Sequence, residues 1–261
     1  MKRFITNKFV LFALGTISLL VIWFLISLLV DKNGSIFPSP VLTFNRLLVL
    51  LVEPYTYTCL LHTLLRMGIG FLSSFVFALI FGILAGNHPS FYYFLKPLMV
   101  TLKSVPTVAL VFLFIVLFAP KDAPIFVVML ICFPILYEAI ANGINNVDRQ
   151  TIQASKIDGA SYLKTIFYIK LPLALPYIIV GMVSSFALSF KIEIMAEVLT
   201  GYTKNGLGSA IQYARYENPS DMSTIFAYAL IAILFMLVFS LIEEIVKTQL
   251  KKTDFILIEN E

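Results

Sequence analysis

The residues able to do chemistry in this chain sit in unusual places. Lys191, Glu193 and Glu197 lie inside a long apolar run, and so does Arg66 in an earlier one. An ionisable group in an apolar span is costly to bury, and such groups mark functional or structural polar sites. Glu193 and Glu197 are four apart, so on a helix they share one face, while Lys191 is two residues off that stripe. Two readings stay open: a polar lining of a pathway through the span (Arg66, Lys191, Glu193, Glu197), or a neutralised cluster at a helix interface. Glu138 is a possible partner for Arg66, without a geometry to decide it. His62 reads as interfacial, and His88 with Pro89 marks a turn. Cys59 and Cys132 lie in or beside apolar runs, which points to neither a disulfide framework nor a metal site. No Ser-His-Asp, Cys-His or metal-spaced arrangement is present, and no G-x-x-x-x-G-K-[ST] phosphate loop occurs anywhere in the sequence.

The elements that must hold these residues are set by composition. The 261 residues are 59% hydrophobic and 13% charged, with a mean hydropathy of +0.92. Soluble domains carry about twice that share of charge, so too little polar surface remains to coat a water-soluble globule. A cytosolic enzyme, a disordered chain and a nucleic-acid-binding domain are excluded together. Apolar runs at 9–30, 60–85, 97–118, 124–143, 175–199 and 224–246 each approach the length, about 20 residues, that crosses a bilayer as a helix. They do not alternate as barrel strands would. The expected fold is therefore all-α, with about six transmembrane helices. Glycines 68, 70, 82 and 86 would let helices approach closely. The apolar stretch 41–52 is too short to span and reads as a packed or interfacial helix, after a turn begun by Pro38 and Pro40. Residues 200–223 read as a polar, Gly-rich connection.

Charge placement orients the spans. Of the 19 Lys and Arg, twelve fall on the segments that share a side with the N-terminus, five on the other side, and Arg66 and Lys191 within spans. The excess places both termini in the cytoplasm.

The longest inner segment, "INNVDRQTIQASKIDGASYLKTIFYIKLPLALP" over 144–176, is the most patterned. Asp148 can cap a helix through Thr151, Ile152 and Ala154. Gly159 permits a sharp break or a close backbone approach. A second short helix follows, and Pro172 and Pro176 are expected to stop it before the next span restarts. The whole reads as a helix–Gly–helix hairpin outside the bilayer.

With these residues in view, the chain resembles the inner-membrane subunits of binding-protein-dependent ABC importers. Their pattern E-A-A, three residues, G, nine residues, I-x-L-P is matched in spacing by Gln153, Ala154, Ser155, Gly159, Ile169, Leu171 and Pro172. The first triplet departs, reading Gln-Ala-Ser. The segments "HTLLRMGIGF" (62–71), "LKPLMVTLKSVPTVAL" (95–110), "MAEVLTGYTKNGLG" (195–208) and "PSP" (38–40) are similar to the subgroup that imports nitrate, sulfonates, taurine and thiamine precursors. The resemblance implies a type I ABC importer permease fold: a first span and outer segment over 1–56, a permease core over 57–250 with the hairpin at 144–173, and a cytoplasmic tail at 251–261. It implies that the hairpin, with Asp158 and Ala160 beside the motif residues, is a coupling helix seated on an ATP-binding subunit. It further implies two such subunits, an external solute-binding protein, a homodimer in the bacterial inner membrane, no cofactor on this chain, and ATP and Mg on the partner subunit. Nucleic acid is no partner. The competing class is an ion-gradient-driven secondary transporter, which ordinarily shows inverted repeats and broken spans; a membrane-embedded enzyme would need a catalytic constellation that is missing.

Overall fold

The computed structural model describes residues 8–30, 36–201 and 205–259; Lys2, Arg3, Lys32 and Lys204 of the charge map lie outside them. All the regular structure among these residues is helical. In chain order the helices are α1 (Lys8–Val30), α2 (Pro40–Leu50), α3 (Pro54–Asn87), α4 (Pro89–Ser104), α5 (Thr107–Leu117), α6 (Ala123–Asn145), α7 (Arg149–Ile157), α8 (Tyr162–Thr165), a π turn (Ile166–Lys170), α9 (Leu171–Thr200), α10 (Leu207–Glu217) and α11 (Ser223–Glu259). Five of them contain stretches long and apolar enough to cross a bilayer, and α4 with α5 supplies a sixth, bent span.

The centre of the bundle is α3, α6 and α9. Gly70, Ser74, Ala78, Gly82 and Gly86 recur every fourth residue along α3 and are all buried. Residues at this spacing form one row on a helix surface, and a row of small ones lets a second backbone come close. A methyl group added at Gly82 would stand 2.8 Å from Cβ of Ile140, and one at Gly86 would stand 2.7 Å from Cβ of Ile144. Helix α6 therefore lies in the groove that the row leaves. Gly68 is off this row, and a methyl group added there would meet nothing within 4 Å, so its lack of a side chain brings no helix close within this chain, contrary to expectation. A second apolar cluster joins α2, the start of α3, α10 and α11 through Leu47, Leu50, Cys59, Leu207 and Tyr228. The short helix expected over 41–52 is α2, opened by Ser39, whose hydroxyl accepts from the Leu42 N–H at 3.3 Å, and by Pro40 in the first turn.

Helix α1 stands apart, with 6% of its apolar window buried. Trp23 Nε1 donates to the Pro38 carbonyl at 3.1 Å, Ser27 donates to the Phe37 carbonyl at 3.0 Å, and Trp23 stacks on Phe226. Its remaining apolar surface is suited to lipid.

One span is bent, and one expectation about prolines is corrected. The run at 97–118 is not one straight span: α4 and α5 meet at 97°. Val105, before Pro106, is extended (φ −70°, ψ 127°), the conformation that a following proline ring imposes. Conversely, Pro172 and Pro176 stop nothing. The chain from Tyr162 to Thr200 is one helical span, and Pro172 falls in the first turn after the π turn. There the Leu171 N–H reaches the Ile166 carbonyl five residues back, so one widened turn takes up the mismatch that a proline introduces. The polar connection 200–223 contains a short helix, α10.

Candidate functional site

The predicted site residues separate into two groups at opposite ends of the bundle. At one end is the hairpin of α7 and α8. Asp148 holds the N-cap position of α7, but its carboxylate makes no capping bond. The other end of α7 closes firmly. The Ala160 N–H donates to the Ser155 carbonyl at 3.0 Å and the Gly159 N–H to the Lys156 carbonyl at 3.1 Å. These are the two bonds of a Schellman stop, which needs a left-handed residue at its glycine position. Gly159 supplies it, with φ +78°. No atom lies within 4 Å of a methyl group built on Gly159, so the glycine serves the turn and not a close approach. Ser161 then caps α8 by accepting from the Lys164 N–H at 3.4 Å.

Gln153, Ala154 and Asp158 are exposed, Ala160 is half-buried, and Ser155 is buried with its hydroxyl donating to the Ile152 carbonyl. Ile169 and Leu171 are half-buried and Pro172 exposed, on the π turn and the first residues of α9, behind the hairpin's tip. Sequence reasoning missed the apolar side chains that stand out around the tip: Ile157 is 86% exposed, Leu163 64% and Tyr168 80%. The hairpin is tied to the bundle where α3 gives way to α4. Tyr162 Oη and His88 Nε2 are 3.1 Å apart, and Lys170 Nζ donates to Asn87 Oδ1 at 2.8 Å.

At the other end, Arg66, Glu193 and Glu197 come together and Lys191 does not. Both carboxylates are wholly buried, whereas Lys191 is exposed on another side of α9. Arg66 Nε donates to Glu193 Oε1 at 3.2 Å, while Nη2 donates to Glu197 Oε1 and, at 2.6 Å, to the Asn205 carbonyl. Glu197 also accepts from the Thr63 hydroxyl at 2.9 Å and from the Gly208 N–H at 2.8 Å. Thr63 in turn accepts from the Leu207 N–H at 2.8 Å. The first amides of a helix need acceptors, and a negative charge there is favoured. Gly206, the N-cap of α10, has no side chain to offer, so α3 and α9 provide the cap from outside. Glycine is required for this approach: a methyl group on Gly206 would stand 2.7 Å from Glu197 Cδ. Glu138 does not pair with Arg66; it pairs with Lys103 of α4 on a partly exposed surface. Among the described residues no group of three His, Cys, Asp or Glu is placed to hold a metal.

A helical bundle of up to six apolar spans with a capped hairpin at one end is the architecture of a multi-pass membrane protein. The family model of binding-protein-dependent transport system inner membrane components matches residues 78–252, and the chain belongs to that family. It is 25% identical over 220 residues to the taurine transport system permease protein TauC of Escherichia coli, covering 81% of this chain and 79% of the relative. It is 27% identical over 195 residues to the nitrate import permease protein NrtB of Synechocystis sp., covering 70% and 69%. A crystal structure of an amino acid ABC transporter with histidines superposes with a TM-score of 0.63 at 14% identity, over 80% of this chain and 96% of that one. The chain is thus a permease subunit of an ABC importer, contributing to a translocation pathway.

Proposed function

We propose that the hairpin 148–172 is the coupling element of the permease, docking in an ATP-binding subunit and passing its movement to α6 and α9. The observation that carries this is the Schellman stop at Gly159 together with the apolar side chains exposed around it. A short helix with both ends fixed transmits a push, whereas a slack loop would absorb it. Ile157, Leu163 and Tyr168 are an apolar surface of the kind that marks a protein interface. The remaining parts follow from that reading. Two copies of the chain enclose the pathway, two ATP-binding subunits sit on the two hairpins, and an external binding protein delivers the solute. Both termini lie in the cytoplasm of a bacterium, in its inner membrane, and hydrolysis of ATP belongs to the partner subunits. Relatives named for nitrate and taurine support a small solute carrying an oxyanion group, nitrate or sulfonate, chosen by the binding protein. The buried Glu193–Arg66–Glu197 group then serves the outer end of the pathway by fixing α10.

Co-expression of a tagged permease with the ATP-binding subunit from its own operon tests the docking. The subunit is expected to co-purify with the native chain and to be lost when Ile157 and Leu163 are both changed to Asp. Undiminished capture by that variant would overturn the assignment of the hairpin.

A further inference from the structure

Behind the hairpin tip, between α7, the π turn and the last turn of α3, lies a cavity of about 270 Å³. Lys156 comes to it from α7 and Lys170 from the π turn; Asn87, Tyr162 and Thr165 add polar atoms, and no acidic residue lines it. Lys156 has no salt-bridge partner among the described residues. Lys170 gives one N–H to Asn87 Oδ1, a neutral acceptor, and keeps two for other use. Two like charges at one small cavity with no carboxylate lining it are mutually unfavourable until an anion arrives. Asn87 is also the last residue of a 34-residue apolar helix, which puts the cavity at the polar edge of the span. Basic pockets between spans at that depth suit lipid headgroups.

We propose that this cavity is an anion site for a phosphate oxyanion, held between the ammonium groups of Lys156 and Lys170 and supplied by an anionic phospholipid headgroup or by free phosphate. Occupancy would tie α7 to the start of the α9 span across the back of the hairpin and so stiffen its seat. That consequence, but not the site itself, rests on the hairpin being the ATPase contact.

The test is native mass spectrometry of the full permease released from detergent, with phosphatidylglycerol, phosphatidylcholine or inorganic phosphate added. Wild type is expected to retain phosphatidylglycerol over phosphatidylcholine, and the double variant Lys156→Gln, Lys170→Gln to retain it about 25-fold less, since each such lysine contributes on the order of a fivefold effect. Lys164→Gln, on the exposed side of the hairpin and outside the cavity, should change nothing. Should the double variant not fold, Lys156→Gln alone, on an exposed position, gives the same comparison. Displacement of the lipid by millimolar phosphate identifies free phosphate as a source; retention despite it identifies the headgroup. Equal retention of phosphatidylglycerol by wild type and lysine variants, with no phosphate adduct, overturns the site. Because lipid retention is read on the permease alone, it stands or falls separately from capture of the ATP-binding subunit.

Discussion

At Gly159 a single backbone angle decides whether the hairpin has a tip. A side chain at φ +78° costs roughly 1–2 kcal/mol where glycine costs nothing. Gly159→Leu is expected to insert in the membrane normally yet lose most capture of the ATP-binding subunit, and Gly159→Asn, which tolerates the left-handed region better, to retain part of it. Quantitative pull-down against membrane yield measures both. Arg66 presents the opposite situation, a half-buried charge whose two carboxylate partners are wholly buried. Removing it leaves two buried carboxylates facing each other, and breaking such a group costs about 3–5 kcal/mol. Arg66→Gln should therefore lower thermal stability in detergent sharply, more than Thr63→Val, which removes one cap at a typical cost of about 1 kcal/mol. A melting temperature for Arg66→Gln equal to wild type would show that the cluster does not hold α10. The sequence showed that Glu193 and Glu197 share a face, because spacing on a helix fixes that. It could not show that Arg66 and not Lys191 answers them, because that pairing depends on how α3 and α9 pack, across 127 residues of chain.

Among the elements, the α3–α6 contact is the clearest consequence of residue size. Its row of small side chains, one at every fourth residue, was readable in part: glycines 70, 82 and 86 stand on it, but Gly68 does not. Being a glycine in a span is weaker information than being in register with other small residues. Gly82→Val would drive a branched side chain into Ile140 and is expected to destabilise by about 1–3 kcal/mol as overpacking does, whereas Gly68→Ala should be neutral or slightly favourable. Thermal unfolding of the two variants separates them. Long spans were legible because apolar length speaks directly of the bilayer. The stop expected at Pro172 failed because the effect of a proline depends on the turn around it. Pro106 follows an extended Val105 and breaks a span, while Pro172 follows a π turn and is absorbed. Helix α10 was illegible because its cap comes from other helices, and a local reading sees only glycines.

Across the whole molecule, the two polar groups sit at opposite ends of the same pair of helices. Helix α3 carries Thr63 and Arg66 near its start and Asn87 at its end; α9 runs from the π turn by the hairpin to Glu193 and Glu197. On the proposed coupling role, a push on the hairpin would reach the base of the helix that holds α10 at the far end, the arrangement a rigid-body switch between two openings requires. The most direct measurement is uptake into proteoliposomes containing the permease and its ATP-binding subunits, with binding protein and labelled solute outside. Uptake is expected to require enclosed ATP, to survive ionophores that collapse ion gradients, and to disappear with Gly159→Leu. Uptake that persists without ATP and collapses with the ionophore, or that is untouched by Gly159→Leu, would contradict a pathway driven through this hairpin.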